Sequence, residues 1–177
     1  MLHPSFLDAM SAPGPAADRT AGLQLYAFLV GSWTFDARFP QPDGKALRSR
    51  GEIHAGWVLE GRAIQDVWAV PARGLPRGEI PAPYEFYGST LRIYDPGLDA
   101  WHNLWSDPMR QRYRRQLGRA EGPDIVQLGK DDAGAPVRWS FRDRTKDSFL
   151  WLGEHSPDGG KSWILIAEFH ARRETPV

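Results

Sequence analysis

From Trp33 onward the chain alternates. Trp33, Phe35, Ala37 and Phe39 take turns with Thr34, Asp36 and Arg38. A period of two is that of a strand with one face in a core. The pattern returns over 47–58, where Leu47, Ser49, Gly51, Ile53, Ala55 and Trp57 share one face. Arg48, Arg50, Glu52 and His54 share the other. Further strands are predicted over 62–70, 87–94, 100–106, 111–119, 124–128, 137–142, 148–155 and 163–172. Turn chemistry separates several of them, at Pro42-Asp43-Gly44, Asp95-Pro96-Gly97, Asp132-Ala133-Gly134 and Asp158-Gly159-Gly160. About ten short strands at steady spacing predict an all-β, antiparallel, up-and-down β-barrel, with a sandwich as the alternative. Closure removes the sheet edges that an aromatic-rich sheet would otherwise expose.

Two segments break the rhythm. Residues 1–20, with Pro4, Pro13 and Pro15, read as an N-terminal arm ahead of a single domain over 21–177. Within that domain Leu23, Tyr26, Ala27 and Val30 share one face of a short helix over 21–30, with Thr20 as its cap and Gly31 as its stop. Residues 71–85 hold Pro71, Pro76, Pro81 and Pro83 and read as a long loop of the kind that covers or forms a binding site.

The helix followed by Gly31-Ser32-Trp33 resembles the G-x-W opening of the calycins, the superfamily of lipocalins and fatty-acid-binding proteins. Four segments are similar to an uncharacterised bacterial group of lipocalin-like barrels, the DUF1579-like group. They are 28–33 (FLVGSW), 57–62 (WVLEGR), 91–96 (LRIYDP) and 156–163 (SPDGGKSW). The similarity spans about 25–173. It implies a calycin-like barrel of eight to ten strands and no common activity. The 156–163 segment also resembles the Asp-box of sialidases. It predicts a tight hairpin in which Asp158 accepts backbone N–H bonds, the glycines take positive φ and Trp163 packs beneath.

Composition narrows the function. The 177 residues carry 22 Lys plus Arg and 22 Asp plus Glu, so no bulk charge attracts nucleic acid or an anionic membrane. No cysteine is present, which removes disulfides, thiolate nucleophiles and Cys-ligated metals. No leader pattern or membrane-length apolar run occurs, and a cytoplasmic protein is expected. Eight tryptophans are several times the usual share, and they predict either a thick aromatic core or an aromatic-walled cavity.

Candidate chemistry lies on the strands. Arg62, Ile64, Asp66 and Trp68 share one face if the strand covers 62–70. Facing inward, Arg62 and Asp66 can couple, with Asp66 as acid or base beside Trp68. Arg92 shares a face with Tyr94, and Trp105 with Trp101 and Asn103. Arg142 and Trp151 complete the expected ligand-binding set of Arg62, Trp68, Arg92, Tyr94, Trp105, Arg142 and Trp151. Glu168 and His170 form an i, i+2 carboxylate–imidazole pair, a candidate acid/base unit or an outward pair. The run Arg110, Arg112, Arg114, Arg115 and Arg119 is either a solvated face or a source of one inward Arg for an anion. His54, His102, His155 and His170 show no metal-ligand spacing, so no metal site is expected. In a related calycin, nitrobindin, a late-strand His holds haem; His155 or His170 is the alternative candidate for that part here, although no surrounding motif matches. Otherwise no cofactor is expected.

Three functions follow. The first is a barrel that binds a small hydrophobic or aromatic, optionally anionic, molecule. The second is a cofactor-free isomerase, cyclase or lyase using Asp66, Glu168 or His170. The third is a fully packed structural or interaction barrel. Partners are a small molecule, no nucleic acid, no membrane, and a homodimer as an open option.

Overall fold

A computed structural model describes residues 4–175. Ten strands run in chain order as antiparallel neighbours: β2 (Gly31–Pro40), β3 (Ala46–Val58), β4 (Ala63–Val70), β5 (Phe86–Asp95), β6 (Ala100–Asp107), β7 (Arg112–Glu121), β8 (Asp124–Lys130), β9 (Pro136–Arg142), β10 (Ser148–His155) and β11 (Ile164–Arg173). The sheet closes because β2 pairs with both β3 and β11; Phe35 lies opposite Gly51 on one side and Ala171 on the other. The result is a closed up-and-down barrel, and closure leaves none of the ten strands as a free edge.

The arm over 1–20 has more structure than its prolines suggest. Among its described residues, α1 spans Pro4–Met10 and β1 (Ser11–Ala12) pairs with Trp57 and Val58 of β3, past the end of β2. The Ala16 N–H then donates to the Gly61 carbonyl at 3.0 Å. Gly61 has φ +78°, and a Cβ there would meet the Gly14–Ala16 backbone, so only glycine fits this approach.

Helix α2 (Thr20–Ala27) is shorter than the 21–30 expectation. Thr20 is its first residue rather than its cap, and its hydroxyl donates to the Ala16 carbonyl at 3.0 Å. Turn bonds from Leu29 to Tyr26 and from Val30 to Ala27 lead to Gly31, whose φ of +123° starts β2. The helix and the turn after it plug one barrel end with Leu23, Tyr26 and Leu29, all fully buried. Cations meet the carbonyls at and just past the helix C-terminus: Arg144 donates to Leu25 (3.4 Å), and Arg173 to Phe28 (2.6 Å) and Val30 (2.8 Å). Arg173 also covers the Trp33 ring, and Trp33 Nε1 donates to the Leu29 carbonyl at 2.9 Å.

The barrel interior is layered. At the α2 end Trp33, Trp101, Phe141 and Phe149 pack around Tyr26 and fill the lumen. Halfway up, β4 to β8 contribute polar inward residues: Asp66, Arg92, Asn103, Gln116 and Gln127, all buried. Above them the lumen opens. No helix among the described residues is long and apolar enough to cross a membrane.

Candidate functional site

The open end is a cavity of about 570 Å³. A circuit of rings walls it. Phe86 meets Trp105 (5.9 Å between centres), Trp105 meets Trp139 (6.3 Å), Trp139 meets Trp151 (5.6 Å), and Trp151 stacks on Phe169 (4.7 Å, 15° between planes). Trp68 lies 5.8 Å from Trp151. All six rings line the cavity. Strand alternation puts them there: each is separated by one residue from another inward position, as Trp139 is from Phe141 and Trp151 from Phe149. Gly88 and Gly153 face Trp105 and Trp151, where a Cβ would press on the indoles.

Thr90 and Arg92 line the inner end of the cavity. Arg92 is 2% exposed and Asp66 behind it 0%. Arg92 Nε donates to Asp66 Oδ2 at 2.5 Å, and Nη1 donates to Asn103 Oδ1 (3.0 Å) and Gln127 Oε1 (2.7 Å). Nη2 has only a long contact, 3.5 Å, to the Thr90 hydroxyl. The second Asp66 oxygen accepts the Thr90 backbone N–H at 3.2 Å. The guanidinium also lies 5.0 Å from the Tyr26 ring centre. Burial pushes the Tyr26 phenol up to about 12, against the pull of Arg92.

The rim is charged. Arg110, Arg112 and Arg114 alternate on the cavity side, with Asp131 and Asp132 nearby. Arg110 is paired with buried Asp107, donates to the Pro83 carbonyl and covers Phe86. Burial draws its guanidinium down, and Asp107 opposes that. Arg114 pairs with Asp132 at 2.5 Å, while Asp131 accepts the Ala133 and Ala135 N–H groups of its turn. Arg112 has no carboxylate within ion-pair distance among the described residues. The end of the 71–85 loop reaches this end of the barrel: Pro83 and Tyr84 line the cavity, and Tyr84 packs on Phe39.

Of the sequence candidates, Trp68, Arg92, Trp105 and Trp151 line the cavity together. Asp66 faces inward but sits behind Arg92, with both oxygens engaged. Arg62 does not couple to it. Leu59, Glu60 and Gly61 form a positive-φ turn, so the strand starts at Ala63, and Arg62 pairs outside with Glu60 and Asp18. Tyr94 faces the filled end, where its ring abuts Gly22 and its hydroxyl donates to Asp99 at 2.9 Å. Arg142 points outward, 3.8 Å from Asp124. Glu168 and His170 also lie outside: His170 bonds Glu168 at 2.6 Å, and Arg38 pairs with Glu168 at 3.2 Å. That bond to His170 holds Glu168 below the ordinary carboxylate value.

Phe86, Trp139 and Phe169 are wall residues that the sequence candidates left out, and the rim arginines take the inward alternative of the Arg110–Arg119 run. Their parity was available. Once Glu168 and His170 go outside, Phe169 goes inside, and outward Tyr113 and Arg115 leave Arg112 and Arg114 facing in. Of the late-strand histidines, His155 reaches the cavity and His170 does not. A bulge between Gly153 and Glu154 breaks the alternation there and brings Ile166 to the cavity edge. The 156–163 hairpin forms as expected: Asp158 accepts from Lys161 and Ser162 N–H groups and from the Ser156 and Ser162 hydroxyls. Those bonds, led by the Ser162 hydroxyl, hold its carboxyl at about 2. Trp163 packs against Arg138 on the outer face. No group of three or more acidic or histidine side chains among the described residues is placed to hold a metal.

These features define a calycin-like barrel with one end plugged and the other open. Solved structures similar to it include two that match over nearly their full length. The Rv2717c protein of M. tuberculosis superimposes with a TM-score of 0.59 at 12% identity, over 88% of this chain and 98% of that one. The S-type phycobiliprotein lyase CPES of Guillardia theta gives 0.58 at 13% identity, over 92% and 100%. Identities this low show the fold alone. No family model matches the chain, and no curated protein matches it at significance.

Proposed function

We propose that this barrel binds a small hydrophobic or aromatic molecule in its open cavity. The observation that carries the reading is the unfilled aromatic box of Trp68, Trp105, Trp139, Trp151, Phe86 and Phe169. A structural barrel would fill this space with its own side chains, as the α2 end does. About 570 Å³ suits a ligand of drug or metabolite size. At the rim, unpaired Arg112 offers a seat for an anionic group on the ligand's outer end.

Proton-transfer catalysis draws less support. Asp66 is bonded on both oxygens, and Glu168 and His170 face solvent, so no expected acid or base touches the cavity contents. One structural neighbour is a phycobiliprotein lyase, which is compatible with ligand handling in this architecture. The DUF1579-like resemblance points the same way for fold only.

Equilibrium dialysis with 2-acetylnaphthalene tests the reading. One saturable site is expected, and it is lost in Ala167→Trp, which fills the cavity from β11 without touching the polar layer. Absence of a saturable site for both this ketone and its hydrocarbon analogue 2-ethylnaphthalene, or binding unchanged in Ala167→Trp, would overturn it.

A second reading rests on His155. Its imidazole stands in an aromatic-walled cavity with no hydrogen-bond partner among the described residues, and this donor set fits haem iron. Haem supplies iron-centred chemistry; His155 would ligate it and Arg112 would meet its carboxylates. Haemin titration decides: a Soret shift abolished by His155→Ala supports it, and an unshifted band removes it.

A further inference from the structure

At and behind the cavity's inner end, unmet buried hydrogen-bond donors outnumber free acceptors. Arg92 Nη2 keeps one N–H with no acceptor beyond the long Thr90 contact. Trp68 Nε1 is buried with no partner, although its ring lines the cavity. Gln127 spends its oxygen on Arg92 and leaves Nε2 unpartnered. Gln116, the next inward residue after the lining residue Arg114, is 1% exposed and has no partner on either amide atom. Among the described residues, one free acceptor, Gln116 Oε1, therefore stands against donors from four side chains. Leaving such groups unmet is costly in a buried site, and this cost weighs on every ligand that cannot meet them. The donors carry no net charge, because Asp66 neutralises Arg92.

We propose that the ligand carries a neutral hydrogen-bond-accepting oxygen, a carbonyl, at its inner end, received by Arg92 and Trp68 with Gln116 and Gln127 behind them. This rests on the cavity-binding reading above and gives it a ligand class and an orientation: oxygen inward, apolar body between the rings, any acidic group outward at Arg112. A hydrocarbon is left with unmet donors. A site of this kind discriminates by what it leaves unpaired more than by shape.

Dialysis against two probes of matched shape separates the claims. The hydrocarbon 2-ethylnaphthalene leaves water more readily than the ketone 2-acetylnaphthalene, so an aromatic box without donors prefers the hydrocarbon. The expected result is the reverse, with the ketone bound roughly tenfold more tightly. Trp68→Phe, which keeps an aromatic ring and deletes one donor, and Gln116→Leu should both shrink that ratio. Should either fold poorly by circular dichroism, the wild-type ratio decides alone. Tighter hydrocarbon binding, or a ratio unmoved by both substitutions, overturns the inference and leaves the cavity reading standing. Failure of both probes to bind removes the cavity reading and the inference with it.

Discussion

Removing Asp66 should destabilise this barrel more than removing Asp66 and Arg92 together. In Asp66→Val the carboxylate bonded to Arg92 at 2.5 Å disappears. Arg92, at 2% exposure, then keeps only neutral acceptors: Asn103, Gln127 and distant Thr90. Stripping one partner from a buried pair typically costs about 3–5 kcal/mol, because a buried charge is left uncompensated. For a chain of this size each kcal/mol moves the midpoint by about 2–4 °C, so a fall of roughly 6–20 °C is expected. Arg92→Met should cost a similar amount, since Asp66 would retain only the Thr90 N–H. The double variant removes both charges and restores apolar packing beside Phe141 and Tyr26. It should be more stable than either single variant, with a coupling of about 2 kcal/mol or more. The assay is urea unfolding at neutral pH followed by tryptophan emission, with m-values compared to confirm a common transition. A double variant whose loss equals the sum of the two singles would refute the buried-pair argument.

Three further outcomes follow from the same geometry. Tyr26, raised to about 12 by burial, should stay neutral well past the ordinary phenol value of 10. Its contribution to stability is full below pH 10 and lost as pH rises toward 12; ultraviolet titration that finds all five tyrosines ionising together near 10 would contradict this. Asp158, held at about 2 against an ordinary 3.8, should keep its hairpin bonds above pH 4 and lose them as pH falls toward 2. Side-chain carboxyl NMR reads this directly, and a midpoint near 4 would remove the claimed bonds. Gly61→Ala should lower stability by roughly 1–3 kcal/mol, from positive φ and backbone crowding; a thermal midpoint within a degree of wild type would show that the 14–16 segment yields freely.

The strands were legible because period two is a geometric consequence of the pleat. The 47–58 alternation, for instance, falls on β3 with Ile53 and Trp57 buried and Arg48 and Arg50 exposed. What period cannot show is where a strand starts. Arg62 has the parity of Asp66, but the turn through Leu59, Glu60 and Gly61 ends its claim to the strand. Nor does period reveal partners across strands. Asp66 meets Arg92 because β4 and β5 register places Asp66 opposite Thr90, two residues from Arg92. The distinction between the two ends was equally hidden. Tyr94 and Arg92 share a face, yet one sits against the helical plug and the other in the cavity, a difference of depth along β5. Gln116 and Gln127 look like ordinary surface amides in sequence, and only closure of the barrel buries them.

The central claim is that a small molecule enters the open end and is held between four indoles. An indole ¹H–¹⁵N spectrum of the protein, with its eight tryptophans assigned, tests this on addition of 2-acetylnaphthalene. Trp68, Trp105, Trp139 and Trp151 should shift together and saturate. Trp33 and Trp101 in the filled end, Trp57 beside β1, and Trp163 on the outer face should hold still. Shifts centred on Trp163 or Trp57, or no shift at all at probe saturation, would contradict the account.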